Sequence, residues 1–241
     1  MVMLSVGDLH VSVAGKEIVK GVSFSLEKGK IYAIMGPNGS GKSSLCNALM
    51  GNPDYEAKGK IALDGKDISS LSADERARLG MFLGFQNPEE IEGVELEQLM
   101  RRASKPADKK EEIRNWALVK EKIRAGSEKL GLNAEKRDLN AGFSGGEKKK
   151  AEIVQMEVLK PKLILLDEID SGLDVDALKA VAKAINKMKS GERTFMLVTH
   201  YSRILKYVKP DFVLIMKDGK IVRKDGPELV RKIEKEGYGA V

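Results

Sequence analysis

Residues 36–43, Gly36-Pro37-Asn38-Gly39-Ser40-Gly41-Lys42-Ser43, constrain this chain more than any other stretch. They match G-x-x-x-x-G-K-[ST], a spacing with a chemical reason. The glycines let the backbone curl so that several N–H groups face inward and cradle phosphate oxygens. Lys42 adds a point charge for the β/γ-phosphates, and the Ser43 hydroxyl can ligate Mg²⁺. The flanks agree. Lys30–Met35 reads as a buried strand entering the loop. Ser43–Met50, with Ser44 in its first turn, reads as a helix leaving it, closed by Gly51. The helix N-terminus adds its partial positive charge to the anion site. Residues 36–44 are therefore the expected nucleotide-phosphate site, with Lys42 also expected to act in catalysis.

The rest of the chain alternates around this loop. Residues 4–35 read as strands, with turns at Gly15-Lys16 and Lys28-Gly29, and Val22–Leu26 alternates as a half-buried strand does. Lys60–Leu63 and the turn Asp64-Gly65-Lys66 follow. Ser72-Ala73-Asp74-Glu75 is a capping box with Leu71 as its staple, and Met81–Phe85 is a buried strand ending at Gln86. From Asn87 to about Leu139 the character changes. β-Branched runs vanish, charge rises, and Glu97–Arg102 and Glu111–Leu132 read as amphipathic helices separated by the linker Ala103–Asp108. Alternation then returns. Leu163–Asp167 and Thr194–Thr199 read as strands, Val175–Lys189 as a helix, Phe212–Met216 with Ile221–Arg223 as a hairpin, and Glu228–Glu236 as the last helix. Strand–helix alternation implies a parallel sheet covered by helices. The expected fold is α/β: a P-loop core over 1–86 and 140–241 with an N-terminal antiparallel β subdomain, and an inserted α-helical subdomain over 87–139.

Two further motifs carry chemistry. Leu163–Asp167 ends an apolar run with Asp167-Glu168, two carboxylates at the strand end where parallel sheets bind ligands. Asp167 suits Mg²⁺ held through water, and Glu168 suits orientation or deprotonation of an attacking water. Phe143-Ser144-Gly145-Gly146-Glu147 opens a helix with a good cap and two glycines, a second anion-binding helix start. Two such starts in one chain suggest two copies facing one another, with each nucleotide held by one copy's phosphate loop and by Ser144, Gly145 and Gly146 of the other.

Composition narrows the setting. One cysteine, Cys46, excludes an intrachain disulfide and a cysteine-only metal cage, and the two histidines, His10 and His200, do not form a zinc motif. Cys46 reads as a small buried residue of the helix after the loop. The N-terminus lacks the blocks of a signal peptide, and no apolar run reaches membrane-spanning length. A cytoplasmic protein without membrane insertion is expected. The net charge of +6 reads as lysines spread over solvated helices, since no basic platform interleaved with aromatics is visible, so nucleic acid is not an expected partner.

Taken in order, Gly36–Ser43, Gln86, Ser144–Glu147, Asp167-Glu168, Ser171-Gly172-Leu173-Asp174 and His200 resemble the ATPase domain of the ABC superfamily. The resemblance covers essentially the whole chain. It implies ATP and Mg²⁺ as cofactors and Mg-dependent hydrolysis of ATP. It also implies Gln86 as a residue linking Mg²⁺ to the helical subdomain, so that Ser43, Gln86 and Asp167 form the metal set. Asp174 would sit at a dimer interface, and His200 would contact the γ-phosphate and act with Glu168 and Lys42 in catalysis. Within the superfamily the SufC group, the ATPases of Suf iron–sulfur cluster assembly, is the nearer match. Ser144–Lys150, Asp167–Lys179, Thr199–Leu205 with Pro210-Asp211, and Glu236-Gly237-Tyr238-Gly239 are similar to that group. This implies SufB- and SufD-like scaffold partners docked through the helical subdomain, and an ATP-dependent homodimer. The alternatives are the energising subunit of a membrane transporter and a non-catalytic nucleotide-gated interaction protein. The chain departs from the wider superfamily at Phe143 and Glu147, and at Val13, where many members carry an aromatic ring against adenine; Tyr32 is the other aromatic that could serve. The run Lys148-Lys149-Lys150 reads as a solvated helix face, or as the source of a lysine that pairs with Glu168 at rest.

Overall fold

A computed structural model describes residues 1–104, 112–134, 137–200 and 203–240. The chain divides into two compact units. One comprises Met1–Gln86, Pro161–Asp170 and Lys189–Val241, and the other Asn87–Lys160 and Ser171–Met188.

In the first unit, β1 (Val2–Val13) and β2 (Lys16–Glu27) form an antiparallel hairpin. Its turn residues, Ala14 and Gly15, have φ of 48° and 77°, the primed geometry that matches strand twist. β4 (Glu56–Leu63) pairs with the other edge of β1, and β5 (Lys66–Asp67) with β4, giving the order β2-β1-β4-β5. The second sheet runs β12-β11-β3-β10-β9-β6, from β3 (Ile31–Met35), β6 (Met81–Gly84), β9 (Leu163–Asp167), β10 (Thr194–Val198), β11 (Phe212–Lys217) and β12 (Lys220–Asp225). It is parallel except for the β11–β12 hairpin. All five residues of β3, β9 and β10 are buried, as strands covered on both faces must be. Register aligns their ends: Val198 is opposite Ile34 on one side and Asp167 on the other. Gly36, Glu168 and His200 therefore leave the sheet along one edge.

Helix α1 (Lys42–Met50) follows β3 through the phosphate loop and buries Leu45, Cys46, Ala48 and Leu49 in a core with Leu4, Leu26, Ile34 and Met196. Its C-terminus is held from a distance. Arg76, on α2 (Ala73–Arg78), is 2% exposed. It donates to the carbonyls of Ala48, Leu49, Leu71 and Ser69 at 2.8–3.0 Å. A guanidinium suits this place, because the last carbonyls of a helix lack intrahelical donors and carry its negative dipole end. The Ser72–Glu75 capping box forms, and Leu71 packs against the core.

The second unit contains α3 (Leu96–Ala103), α4 (Glu112–Leu130), α5 (Gly145–Leu159) and α6 (Val175–Met188). The helices anticipated over 97–102 and 111–132 are α3 and α4, with Glu111 and most of the linker over 103–108 outside the described residues. A short antiparallel pair, β7 (Ile91–Glu95) with β8 (Asp138–Leu139), was not anticipated, because two residues are too few to reveal an alternation. The unit also continues past residue 139, the boundary read from sequence, to Lys160. Gly126 of α4 explains this: a Cβ there would come within 3.4 Å of the Val154 side chain on α5. Lys129 and Glu157 pair at 2.8 Å across the same two helices. Helix α5 thus packs with the helices that precede it.

Candidate active site

The phosphate loop needs its glycines for different reasons. Gly39 and Gly41 take φ of 77° and 103°, in the region that side chains avoid. A Cβ on Gly36 would run into the carbonyl of Met216 and lie 3.0 Å from Ser40 Oγ. Lys42 opens α1 and is 5% exposed. Its Nζ donates to the carbonyls of Gly36 and Pro37, both at 2.9 Å, so the ammonium is folded back into its own loop. Burial draws its pKa below the ordinary lysine value, and the charges of Glu168 and Asp167 oppose that shift. Ser43 is half-buried in the first turn, its carbonyl tied to Asn47.

Asp167 ends β9 at 4% exposure, and Glu168 follows at 7%. Glu168 has φ of 46°, and its N–H donates to Val198 O at 2.8 Å. A bulky residue held in the left-handed region stores strain of about 1–3 kcal/mol, a feature that clusters at functional sites. The side chain is gripped on both oxygens. His200 Nδ1 lies 2.9 Å from Oε1, and Gln86 Nε2 donates to Oε2 at 2.6 Å. An ionised carboxylate only accepts, so His200 carries its proton on Nδ1 in this arrangement. The segment before His200 is anchored twice. Thr199 N–H donates to Ile34 O at 3.1 Å, and its hydroxyl to Asp170 Oδ1 at 3.1 Å. Burial raises the Asp170 pKa, and the hydrogen bonds of its own backbone N–H and of Thr199 work against that rise. The structure thus brings Gly36–Ser44, Gln86, Asp167, Glu168 and His200 together in the first unit.

Ser144, Gly145 and Gly146 lie in the second unit at the start of α5. Ser144 Oγ accepts from Glu147 N–H at 3.2 Å, and the Glu147 carboxylate accepts from Ser144 N–H at 2.9 Å. Phe143 and Glu147, the departures from the superfamily pattern at this helix start, share one partner. The Arg137 guanidinium lies 4.1 Å from the Phe143 ring centroid, bonds Glu147 at 3.2 Å, and donates to Gly142 O at 2.8 Å. A cation is attracted both to the ring face and to the carboxylate, so the two departures make one clamp on the helix start.

Three expectations change. The lysine expected on Glu168 is replaced by His200 and Gln86. Lys148 instead reaches Glu90 at 3.0 Å, and Lys149 sits beside Glu152 at 3.5 Å. Nor is the lysine run a solvated face, since Lys149 is 2% exposed; the position falls on a buried side of α5 with Glu152, Ile153 and Met156. Tyr32 is not a platform for a base: it is fully buried, stacked on Phe212 with ring centroids 5.2 Å apart, and its hydroxyl accepts from Glu27 N–H. Val13, half-buried beside the hairpin turn, remains the residue at that position of the pattern. Cys46 is fully buried, and burial raises its thiol pKa well above the ordinary value. Sequence reasoning missed Arg76 and Arg137, whose partners lie 5–28 and 4–10 residues away and leave no periodic trace.

Among the described residues no group of three or more His, Cys, Asp or Glu could hold a metal ion. The hydroxyl of Ser43, the carboxylate of Asp167 and the amide oxygen of Gln86 are hard donors. Such a set suits Mg²⁺, which takes one or two protein ligands together with substrate phosphates. No helix of the described residues is long and apolar enough to cross a membrane.

The chain matches the ABC transporter family over residues 19–171. It is 49% identical to a probable ABC transporter ATP-binding protein of Streptococcus pyogenes, over 100% of this chain and 95% of that one. It is 45% identical to the probable ATP-dependent transporter SufC of Escherichia coli, over 98% of each. A solved nucleotide-free ATP-binding cassette from an ABC transporter superposes with a TM-score of 0.75 at 25% identity, over 98% of this chain and 96% of that one. The phosphate loop, the Asp-Glu strand end and these similarities agree: the chain belongs to the ABC transporter family, as an ATP-binding, ATP-hydrolysing member.

Proposed function

We propose that this ATPase powers conformational change in a cytoplasmic iron–sulfur cluster assembly scaffold, as a SufC-like subunit. The observation that carries the reading is the 45% identity with the SufC-named protein over 98% of both chains, together with Ser144–Lys150 and Asp167–Lys179. The partners are SufB- and SufD-like proteins, docking on the helical unit near residues 86–100. Backbone N–H groups of residues 36–44 and the Lys42 ammonium hold the phosphates of ATP. Bound Mg²⁺ on Ser43, Asp167 and Gln86 would neutralise charge developing on the β- and γ-phosphates. Glu168 orients a water and takes its proton as oxygen bonds to the γ-phosphorus. The bond from that phosphorus to the β–γ bridging oxygen breaks, and ADP and phosphate leave. With both ring nitrogens protonated, His200 donates Nε2–H to a γ-phosphate oxygen and Nδ1–H to Glu168, and this grip keeps the base aimed at the water. Ser144, Gly145 and Gly146 of a second copy complete each site, so ATP drives dimerisation.

Affinity purification from the native source, with mass and iron analysis, tests the reading. SufB/SufD-like proteins should co-purify and raise ATP turnover. Co-purification with a membrane permease instead would establish the transporter alternative, which the name of the streptococcal relative favours.

A further inference from the structure

The chain leaves α7 (Glu228–Glu236) through Gly237, with φ of 73° and its N–H on Ile233 O at 2.9 Å. Buried Leu229, Val230 and Ile233 fix that helix within the first unit. The turn sends Tyr238, half-buried in a short 3-10 segment, back towards His200. Its hydroxyl donates to the carbonyl of His200 at 3.3 Å. Thr199 is already pinned to Ile34 and Asp170, which fixes the residue before His200. Tyr238 fixes the main chain of His200 itself.

We infer that Tyr238 is a positioning residue for ATP hydrolysis, holding the main chain of His200 in place from beyond α7. The inference rests on the reading of His200 as the residue that meets the γ-phosphate. The hydroxyl reaches across 38 residues of sequence to the main chain of the residue read as meeting the γ-phosphate. Phenylalanine would keep the ring and its packing while leaving the His200 carbonyl without this partner. The loss should fall on turnover rather than on binding, because the Lys42 and backbone contacts to phosphate remain.

Steady-state ATP hydrolysis by the full chain tests this. Tyr238→Phe should lower kcat about fivefold, the effect of one ordinary hydrogen bond, with KM for ATP within about twofold and the melting temperature within about 3 °C. Residues that act through one another are not additive, so Tyr238→Phe should cost nothing further in a His200→Ala chain, measured by single turnover with excess enzyme. An unchanged kcat overturns the inference, as does a rise in KM alone or the same fivefold loss in both backgrounds. A melting temperature lowered beyond that range, with ATP binding lost in proportion, also overturns it by making Tyr238 purely structural. The two readings fail separately. Wild-type turnover of His200→Ala sinks the role of His200, whereas a slow His200→Ala beside a wild-type Tyr238→Phe sinks that of Tyr238 alone.

Discussion

Glu168→Gln separates geometry from chemistry at this site. In the native arrangement the carboxylate accepts twice, from Gln86 at 2.6 Å and from His200 at 2.9 Å. A glutamine offers one carbonyl and one amide. Its oxygen can keep the Gln86 bond while its NH₂ donates to His200 Nδ1, provided the ring proton moves to Nε2. Both hydrogen bonds survive, and the backbone strain at φ of 46° is unchanged because Gln has the same aversion to that region. Stability should therefore move by less than about 1 kcal/mol. Glu168→Ala is the contrasting variant: it leaves Gln86 and His200 without this partner, at about 1–3 kcal/mol for each group that stays buried. The tautomer that Glu168→Gln enforces carries N–H on Nε2, ready to donate to a phosphate oxygen, and one negative charge near the phosphates is gone. ATP affinity should be equal or tighter. What is lost is the base, which should slow hydrolysis roughly 10²–10⁴-fold. Calorimetry gives the affinity, single-turnover hydrolysis the rate, and a sizing column with ATP the trapped dimer. Wild-type turnover, or ATP affinity weakened more than about tenfold, would refute the reasoning.

Lys42→Ala should abolish productive nucleotide binding, a loss of about 2–5 kcal/mol for truncating a desolvated charge contact; unchanged affinity by calorimetry would contradict it. Arg76→Met keeps most of the buried volume but strips donors from four carbonyls. Ala48 O retains Gly51 N–H, so three lose this donor outright, and relief from burying a charge offsets part of the cost. A net destabilisation of about 2–4 kcal/mol follows, read as a lower urea midpoint with unchanged slope; a shift under about 0.5 kcal/mol would be incompatible. ATP and GTP should turn over within about tenfold of each other, or roughly 1.4 kcal/mol, because Val13 has no π-face and Tyr32 is buried against Phe212. A far stronger ATP preference would mean that another group reads the base. Cys46 should resist alkylation at pH 8 in the folded protein and react in urea, since burial disfavours the thiolate; mass analysis of the native protein after iodoacetamide decides it.

Sequence alone determined the features whose physics is local. The phosphate loop is legible because each of its residues answers to its neighbours: glycines where φ turns positive, a lysine at the head of the helix, an apolar strand before it. The capping box at Ser72 and the cap at Ser144 act within four residues and form as read, the latter as a full capping box with Glu147. The Asp-Glu pair is placed by the apolar run ahead of it, since a buried parallel strand must deliver its next residues to the sheet edge. Tertiary structure decided what depends on segments meeting across the chain. Glu168 could be read as a base, but its grip by Gln86 and His200, 82 and 32 residues away, arises only when β6, β9 and β10 align in one sheet. Lys149 looks like a surface charge until α5 turns it inward. Arg76 looks like one more helix arginine until α1 ends beside it with unmet carbonyls. Tyr238 belongs to a segment without periodicity, and its hydroxyl finds the His200 carbonyl because α7 is anchored where its exit points at it. A single sequence records the chemical capacity of each side chain; which donor meets which acceptor is set by packing, because a buried polar group takes the partner that the converging backbone supplies.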